Sequence, residues 1–168
     1  FLELLRAGLW GERADESLFR EGADWKKILK TAREQAVQSV VMDGIETLPA
    51  EAWPPREIIH RMMIDRTINI QMHGLLNRTA NEVVEALDAA GIPSVLLKGQ
   101  GVAKNYARPE SRSCGDIDLY VGECNFRRAI EVISGMKNDS LKVGIECDHH
   151  VQISLNQVEI ELHKKADY

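Results

Sequence analysis

Apolar positions in the first half of the chain recur at helical spacing. Leu2, Leu5, Leu9 and Trp10 predict a short opening helix. Asp24 is placed as an N-cap before Trp25. From there Trp25, Ile28, Leu29, Ala32, Ala36, Val37 and Val40 form an apolar stripe that predicts a helix of about four turns. Pro54 and Pro55 in tandem make Pro49–Pro55 a loop. Ile58, Ile59, Met62, Met63, Ile70, Leu75, Leu76, Val83, Val84 and Leu87 then mark the apolar face of one long helix over Arg56–Ala90, or of two helices broken at Gly74. Gly91 fits the C′ position and Pro93 follows it, so the helical half stops there.

After Gly91 the pattern changes. Ile92–Leu97 is a short apolar run with branched residues, which predicts a buried strand. The glycines after it open a helix over Gln100–Tyr106, and Arg108–Ser113 is a polar loop. Ile117–Val121 alternates as a strand does, and Asn125–Gly135 is a helix with Phe126, Ala129, Ile130 and Ile133 inward. Leu141–Ile145, Val151–Leu155 and Val158–Leu162 are further strands, the last two joined by a tight turn at Asn156-Gln157. The expected fold class is α+β: a small mixed β-sheet flanked by helices, after an N-terminal helical bundle. The expected division is 1–90 for the helical region and 91–168 for the sheet-bearing core. A start on Phe1 and an end at Tyr168 raise the expectation of a fragment, with the core truncated at its C-terminal end.

Composition narrows the class without naming a task. The 168 residues are 44% hydrophobic and 28% charged, as in a folded globular domain rather than a disordered chain. A net charge of −5 lowers the expectation of tight, nonspecific nucleic-acid binding, which needs a basic face. Cys114, Cys124 and Cys147 are odd in number and form no CxxC pair, which points to reduced thiols in a cytoplasmic protein. No run of about 18 apolar residues predicts a membrane span.

The chemistry concentrates in Leu96–Val121, LLKGQGVAKNYARPESRSCGDIDLYV. Asp116 and Asp118 are two apart, so on a strand both carboxylates face one side while Ile117 and Leu119 face the core. Adjacent carboxylates repel unless protonated or bridged by a cation. Mg²⁺ suits such a bridge because it prefers hard oxygens and shares its coordination with substrate phosphates. A bare Asp-x-Asp is also compatible with a solvated strand end. Upstream, Lys98, Gly99 and Gly101 follow the first strand, where glycine lets a backbone approach phosphate. The spacing is neither a Walker A loop nor GxGxxG, so a P-loop or a dinucleotide fold is not supported.

Strand, glycine turn, helix, loop and a strand bearing Asp-x-Asp together resemble the DNA polymerase β-like nucleotidyltransferase superfamily. More narrowly, LKGxGxAxxYxxPxxRxxxDIDLYV resembles an uncharacterised bacterial nucleotidyltransferase family with a helical N-terminal part, and it is similar to abortive-infection toxin nucleotidyltransferases. The likeness runs from Leu2 to about His163, with its specific portion in Leu96–Val121 and the final hairpin. It implies a metal-dependent enzyme that transfers NMP from an NTP to a hydroxyl of a protein, a tRNA end or a small molecule. It places the triphosphate at Lys98, Gly99 and Gly101, has Arg112 order its loop or contact phosphate, and puts Mg²⁺ or Mn²⁺ on Asp116 and Asp118. The superfamily's third carboxylate falls on Glu161 in the Ile160-Glu161-Leu162-His163 pattern, with Glu159 as runner-up and His163 on the same face. Gln100 stands where the superfamily has a small or hydroxyl residue, which keeps a second expectation open: a non-catalytic nucleotidyltransferase-like module that binds a nucleotide or a partner.

Overall fold

The structure, a computed structural model, describes residues 1–165 apart from 21, 137 and 139. The last three residues of the expected 91–168 core lie outside the described residues. Two compact units emerge. The first comprises residues 1–73 and 103–113, the second residues 74–102 and 114–168.

The first unit is helical. Helix α1 (Leu2–Trp10) ends at Gly11, whose φ of 70° allows the left-handed cap. Helix α2 (Ser17–Arg20) is a single turn, and α3 (Trp25–Glu34) starts on the Asp24 carboxylate, which accepts from the Lys27 N–H at 3.0 Å. The stripe from Trp25 to Val40 does not continue as one helix. Ala36 turns to φ 53°, Val37 N–H donates to Ala32 O, and α4 (Gln38–Ile45) begins a new direction. The cause is burial on all sides: Ser39 through Ile45 are all buried, so α4 cannot extend an amphipathic stripe that keeps one face wet. Residues 50–52 form one 3₁₀ turn inside the expected loop. Helix α5 (Arg56–Ala89) is a single helix, so Gly74 does not break it. Met63 and Ile70, expected on its apolar face, are exposed, while Met62, Leu76, Val83 and Leu87 are buried.

Charge ties the first unit together. Asp43, only 5% exposed, receives Arg108 Nη1 at 2.9 Å and Arg66 Nη2 at 3.3 Å. Burial pushes the Asp43 carboxyl above its ordinary pKa, opposed by Ser111, Arg66 and Arg108. At the surface, Glu3 accepts Arg6 Nη2 at 2.7 Å and the Asp15 N–H at 2.8 Å, and these bonds, Arg6 first, hold it down to about 2 from an ordinary 4.5. A depressed carboxylate stabilises the fold above its unfolded pKa and loses that contribution as pH falls through the folded value. Glu3→Gln is therefore expected to lower the melting temperature at pH 6, and the gap from the parent should close between pH 4.5 and about 2. Thermal unfolding of both proteins across that range measures it. A gap independent of pH would remove Glu3 as the titrating group.

The second unit is a five-stranded sheet in the order β1-β2-β5-β4-β3, with β1 (Val95–Leu97), β2 (Asp116–Tyr120), β3 (Lys142–Glu146), β4 (His150–Leu155) and β5 (Val158–His163). The β2–β5 pair is parallel and the others antiparallel, so the sheet is mixed as expected. The Ile92–Leu97 run was expected to be a buried strand. It is a short edge strand instead, with Val95 56% exposed and only β2 beside it. The turn at Asn156-Gln157 forms without glycine, at φ 54° and 65°. Asn156 is held there by its side chain, which donates to Glu82 Oε2 at 2.9 Å and accepts from Asn138 Nδ2 at 2.8 Å.

Alternation splits the sheet into two faces. Ile117, Leu119, Val151, Ile153, Leu155, Val158, Ile160 and Leu162 pack with the Leu76–Leu87 stretch of α5 and with Phe126, Ala129 and Ile133 of α7 (Glu123–Ser134). This apolar layer fixes the register, because a one-residue slip would turn the whole set outward. The opposite face therefore carries Asp116, Asp118, Glu159, Glu161, His163 and His150.

Candidate metal centre

Two strand pairings, β2 with β5 and β4 with β5, set the position of the centre. In the parallel β2–β5 pair, Asp118 lies opposite Glu161 and Asp116 opposite Glu159. On β4, His150 lies opposite His163 and Gln152 opposite Glu161. Because side chains of one face are stacked across strands, register alone brings Asp118, Glu161, His163 and His150 together.

Asp118, Glu161 and His163 form the closest group, each offering a ligand atom within 4.8 Å of the others. His163 Nε2 stands 3.1 Å from Asp118 Oδ1 and 3.5 Å from Glu161 Oε2. Asp118 and His163 are buried, at 4% and 6% exposure, and Glu161 is half-buried. Lys98 Nζ approaches the same Asp118 Oδ1 at 3.3 Å. His150 Nε2 is 3.8 Å from Glu161 Oε1, its Nδ1 is 3.5 Å from Cys147 Sγ, and its ring lies 5.2 Å from that of His163.

Asp116 sits on the same face as Asp118 but outside the 4.8 Å group. Glu159 shares the face of Glu161 one register step away, beside Asp116. Lys98 adopts φ 42°, turning the chain from β1 into α6 (Gly99–Ala103), and its carbonyl accepts from the Val102 N–H at 2.8 Å. A side chain at Gly101 would bring its Cβ to 3.0 Å from Leu96 O, tight enough to force the turn to shift. Gly99 is roomier, with the nearest atom, Asp116 O, at 3.6 Å. Gln100 donates to Asn77 Oδ1 at 3.0 Å. Arg112 belongs to the first unit, where its carbonyl accepts from Asn69 Nδ2 at 3.5 Å.

The residue that spacing weighted least is His163. Its signal was present: it follows Glu161 by two on a strand, so it must share that face. What the chain order could not supply is the neighbour of β5, since β2 and β5 are separated by a helix and two strands.

Chemically, the face is acidic. Four carboxylates, those of Asp116, Asp118, Glu159 and Glu161, stand against the Lys98 ammonium. Two of them converge with an imidazole nitrogen in a partly desolvated place, where uncompensated negative charge is costly. Such a set of hard oxygens with one nitrogen suits a divalent cation. No helix among the described residues is long and apolar enough to cross a membrane.

No curated protein and no solved structure matches the chain. Residues 21–167 match the family described as uncharacterised nucleotidyltransferase, which spans both the helical region and the sheet with its acidic face, and the chain belongs to that family.

Proposed function

We propose that the protein is a cytoplasmic nucleotidyltransferase that uses a divalent ion, Mg²⁺ or Mn²⁺, to move NMP from an NTP to a hydroxyl acceptor. The observation that carries this is the meeting of Asp118, Glu161 and His163 within 4.8 Å on one sheet face, in a chain of a nucleotidyltransferase family. Asp118 and Glu161 hold the cation, and Asp116, on the same face, supplies the further carboxylate of the pair. Bound there, a divalent ion neutralises triphosphate oxygens and lowers the pKa of a coordinated hydroxyl.

The acceptor oxygen forms a bond to the α-phosphorus and the α–β anhydride bond breaks. Pyrophosphate leaves, and the hydroxyl proton passes to the Glu161 carboxylate as base. In this reading Lys98, at the turn into α6, exchanges its contact with Asp118 for one with the triphosphate, and Gly99 and Gly101 keep that turn open. Arg112 is assigned to loop order or phosphate contact. The acceptor is a protein hydroxyl, a tRNA end or a small molecule.

The test is transfer of label from each α-³²P-NTP into cell extract, with Mg²⁺ or Mn²⁺. Label that requires the cation and vanishes in Asp116→Ala/Asp118→Ala supports the proposal. Label unchanged in the double variant rejects it. A second reading, a binding module without catalysis, is favoured by Gln100, whose amide is engaged with Asn77 rather than offering a hydroxyl to phosphate. It predicts cation-dependent NTP binding with no label transfer from any nucleotide.

A further inference from the structure

We propose that His163 is itself a metal ligand, so that the ion is held by one imidazole nitrogen and the carboxylates of Asp118 and Glu161, and that the centre takes a first-row transition ion in preference to Mg²⁺. The proposal deepens the nucleotidyltransferase reading and rests on it for its meaning in catalysis. Its content, however, is cation binding alone.

The geometry points there first. Donors at adjacent positions around one ion, each at about 2.1 Å, stand about 3 Å from one another. His163 Nε2 is 3.1 Å from Asp118 Oδ1 and 3.5 Å from Glu161 Oε2, so one nitrogen already stands at that separation from an oxygen of each acid. A plain orienting hydrogen bond would need only one of those acids.

Placement is the second ground. All three donors sit on the two adjacent strands β2 and β5, locked by the apolar layer beneath, rather than on loops. Asp118 and His163 are both more than nine-tenths buried. A carboxylate pair in such a place calls for a cation, and the Lys98 ammonium stands 3.3 Å from the Asp118 member.

Donor chemistry then sets the choice of ion. Mg²⁺ demands oxygen ligands in near-ideal octahedral geometry, whereas affinity for a site that includes nitrogen rises along the transition series. Mn²⁺ stands lowest in that series and is paramagnetic, which makes it a stringent and readable probe. We expect Mn²⁺ to bind at least about tenfold more tightly than Mg²⁺.

The experiment uses the full chain with ¹⁵N confined to histidine and Mn²⁺ as probe, with and without a nonhydrolysable NTP. Pulsed electron paramagnetic resonance reads coupling between the manganese and ¹⁵N, which the nucleotide's own ¹⁴N cannot imitate. Coupling is expected in the parent, in His149→Gln and in His150→Gln, and lost in His163→Gln. In that variant Mn²⁺ should bind more weakly and its advantage over Mg²⁺ should shrink. Glutamine places an amide N–H near the position of Nε2, the atom that faces Asp118, so a histidine that only orients the acid would leave the Mn²⁺/Mg²⁺ ratio unmoved.

Bound Mn²⁺ without histidine coupling overturns the proposal, as does failure of Mn²⁺ to bind under either condition. The parent spectrum decides even if His163→Gln does not fold. Coupling without label transfer leaves the ligand assignment standing and removes nucleotidyl transfer. Label transfer without coupling does the reverse.

Discussion

Asp118→Asn is expected to lower nucleotidyl transfer by at least about a thousandfold while the protein stays folded. The magnitude follows from what the carboxylate does in the proposed site. Lewis-acid stabilisation of charge on a transferring phosphoryl group amounts to several kcal/mol, and about 4 kcal/mol corresponds to roughly a thousandfold in rate. Asp118 lies at the middle of the centre: His163 at 3.1 Å, Lys98 at 3.3 Å, and a Glu161 oxygen within 4.8 Å. An amide of the same shape keeps the packing but removes the charge that holds the cation.

Stability should move the other way from activity, or hardly at all. In the absence of a cation, Asp118 faces Glu161 as a like charge, and its compensating ammonium on Lys98 is half exposed. Neutralising one acid relieves repulsion while losing a screened ion pair of modest worth. The melting temperature of Asp118→Asn without metal should therefore equal or exceed that of the parent, and the parent alone should gain stability when Mn²⁺ is added. Transfer kinetics and thermal unfolding with and without Mn²⁺ check both halves. Transfer within about tenfold of the parent would remove Asp118 from the centre, and unfolding of the variant would recast it as a structural residue.

Much of this acidic face was legible in the sequence, because it rests on period-two alternation. Asp116 with Asp118, Glu159 with Glu161, and Glu161 with His163 are pairs whose common face follows from spacing on a strand. The lateral order β2-β5-β4 could not be read, since nothing in the spacing says which strand pairs in parallel with β2. The centre therefore emerged from sequence as Asp116, Asp118 and Glu161, whereas the group that closes within 4.8 Å is Asp118, Glu161 and His163.

The helical half shows the complementary limit. Asp24 and Gly91 were legible because caps act through local hydrogen bonds and a local φ. The break at Ala36 was not, because an alanine at φ 53° has no compositional signature and is imposed by the burial of α4. Likewise Val95 has the branched side chain of a core strand yet sits at an edge, since strand propensity does not distinguish the two.

Gly8→Ala and Gly44→Ala are each expected to destabilise the first unit by about 3 kcal/mol or more, the largest loss any single methyl should cause in this chain. The reason is reciprocal. A Cβ at Gly8 would overlap the Val40 carbonyl and lie 2.9 Å from its carbon, and one at Gly44 would overlap the Leu4 carbonyl and lie 2.8 Å from its carbon. Leu4 faces Gly44 and Gly8 faces Val40, so α1 and α4 cross antiparallel with a glycine from each side at the contact. Small residues let helix backbones approach closely, and the obstructing atoms are backbone, which cannot rotate away as a side-chain tip does. Leu4, Ala7, Val41 and Ile45 are fully buried around this crossing, so pushing the helices apart would open the packed layer as well. Gly74→Ala is the matched control: it lies in α5 with only the Arg78 side chain near, at 3.6 Å, and should stabilise that helix by up to about 1 kcal/mol. Hydrogen exchange should then show lost protection across α1 and α4 in the first two variants, with a fall in melting temperature of roughly 10 °C or more. Unchanged protection in α1 and α4 would mean that the two backbones do not meet at these glycines in solution.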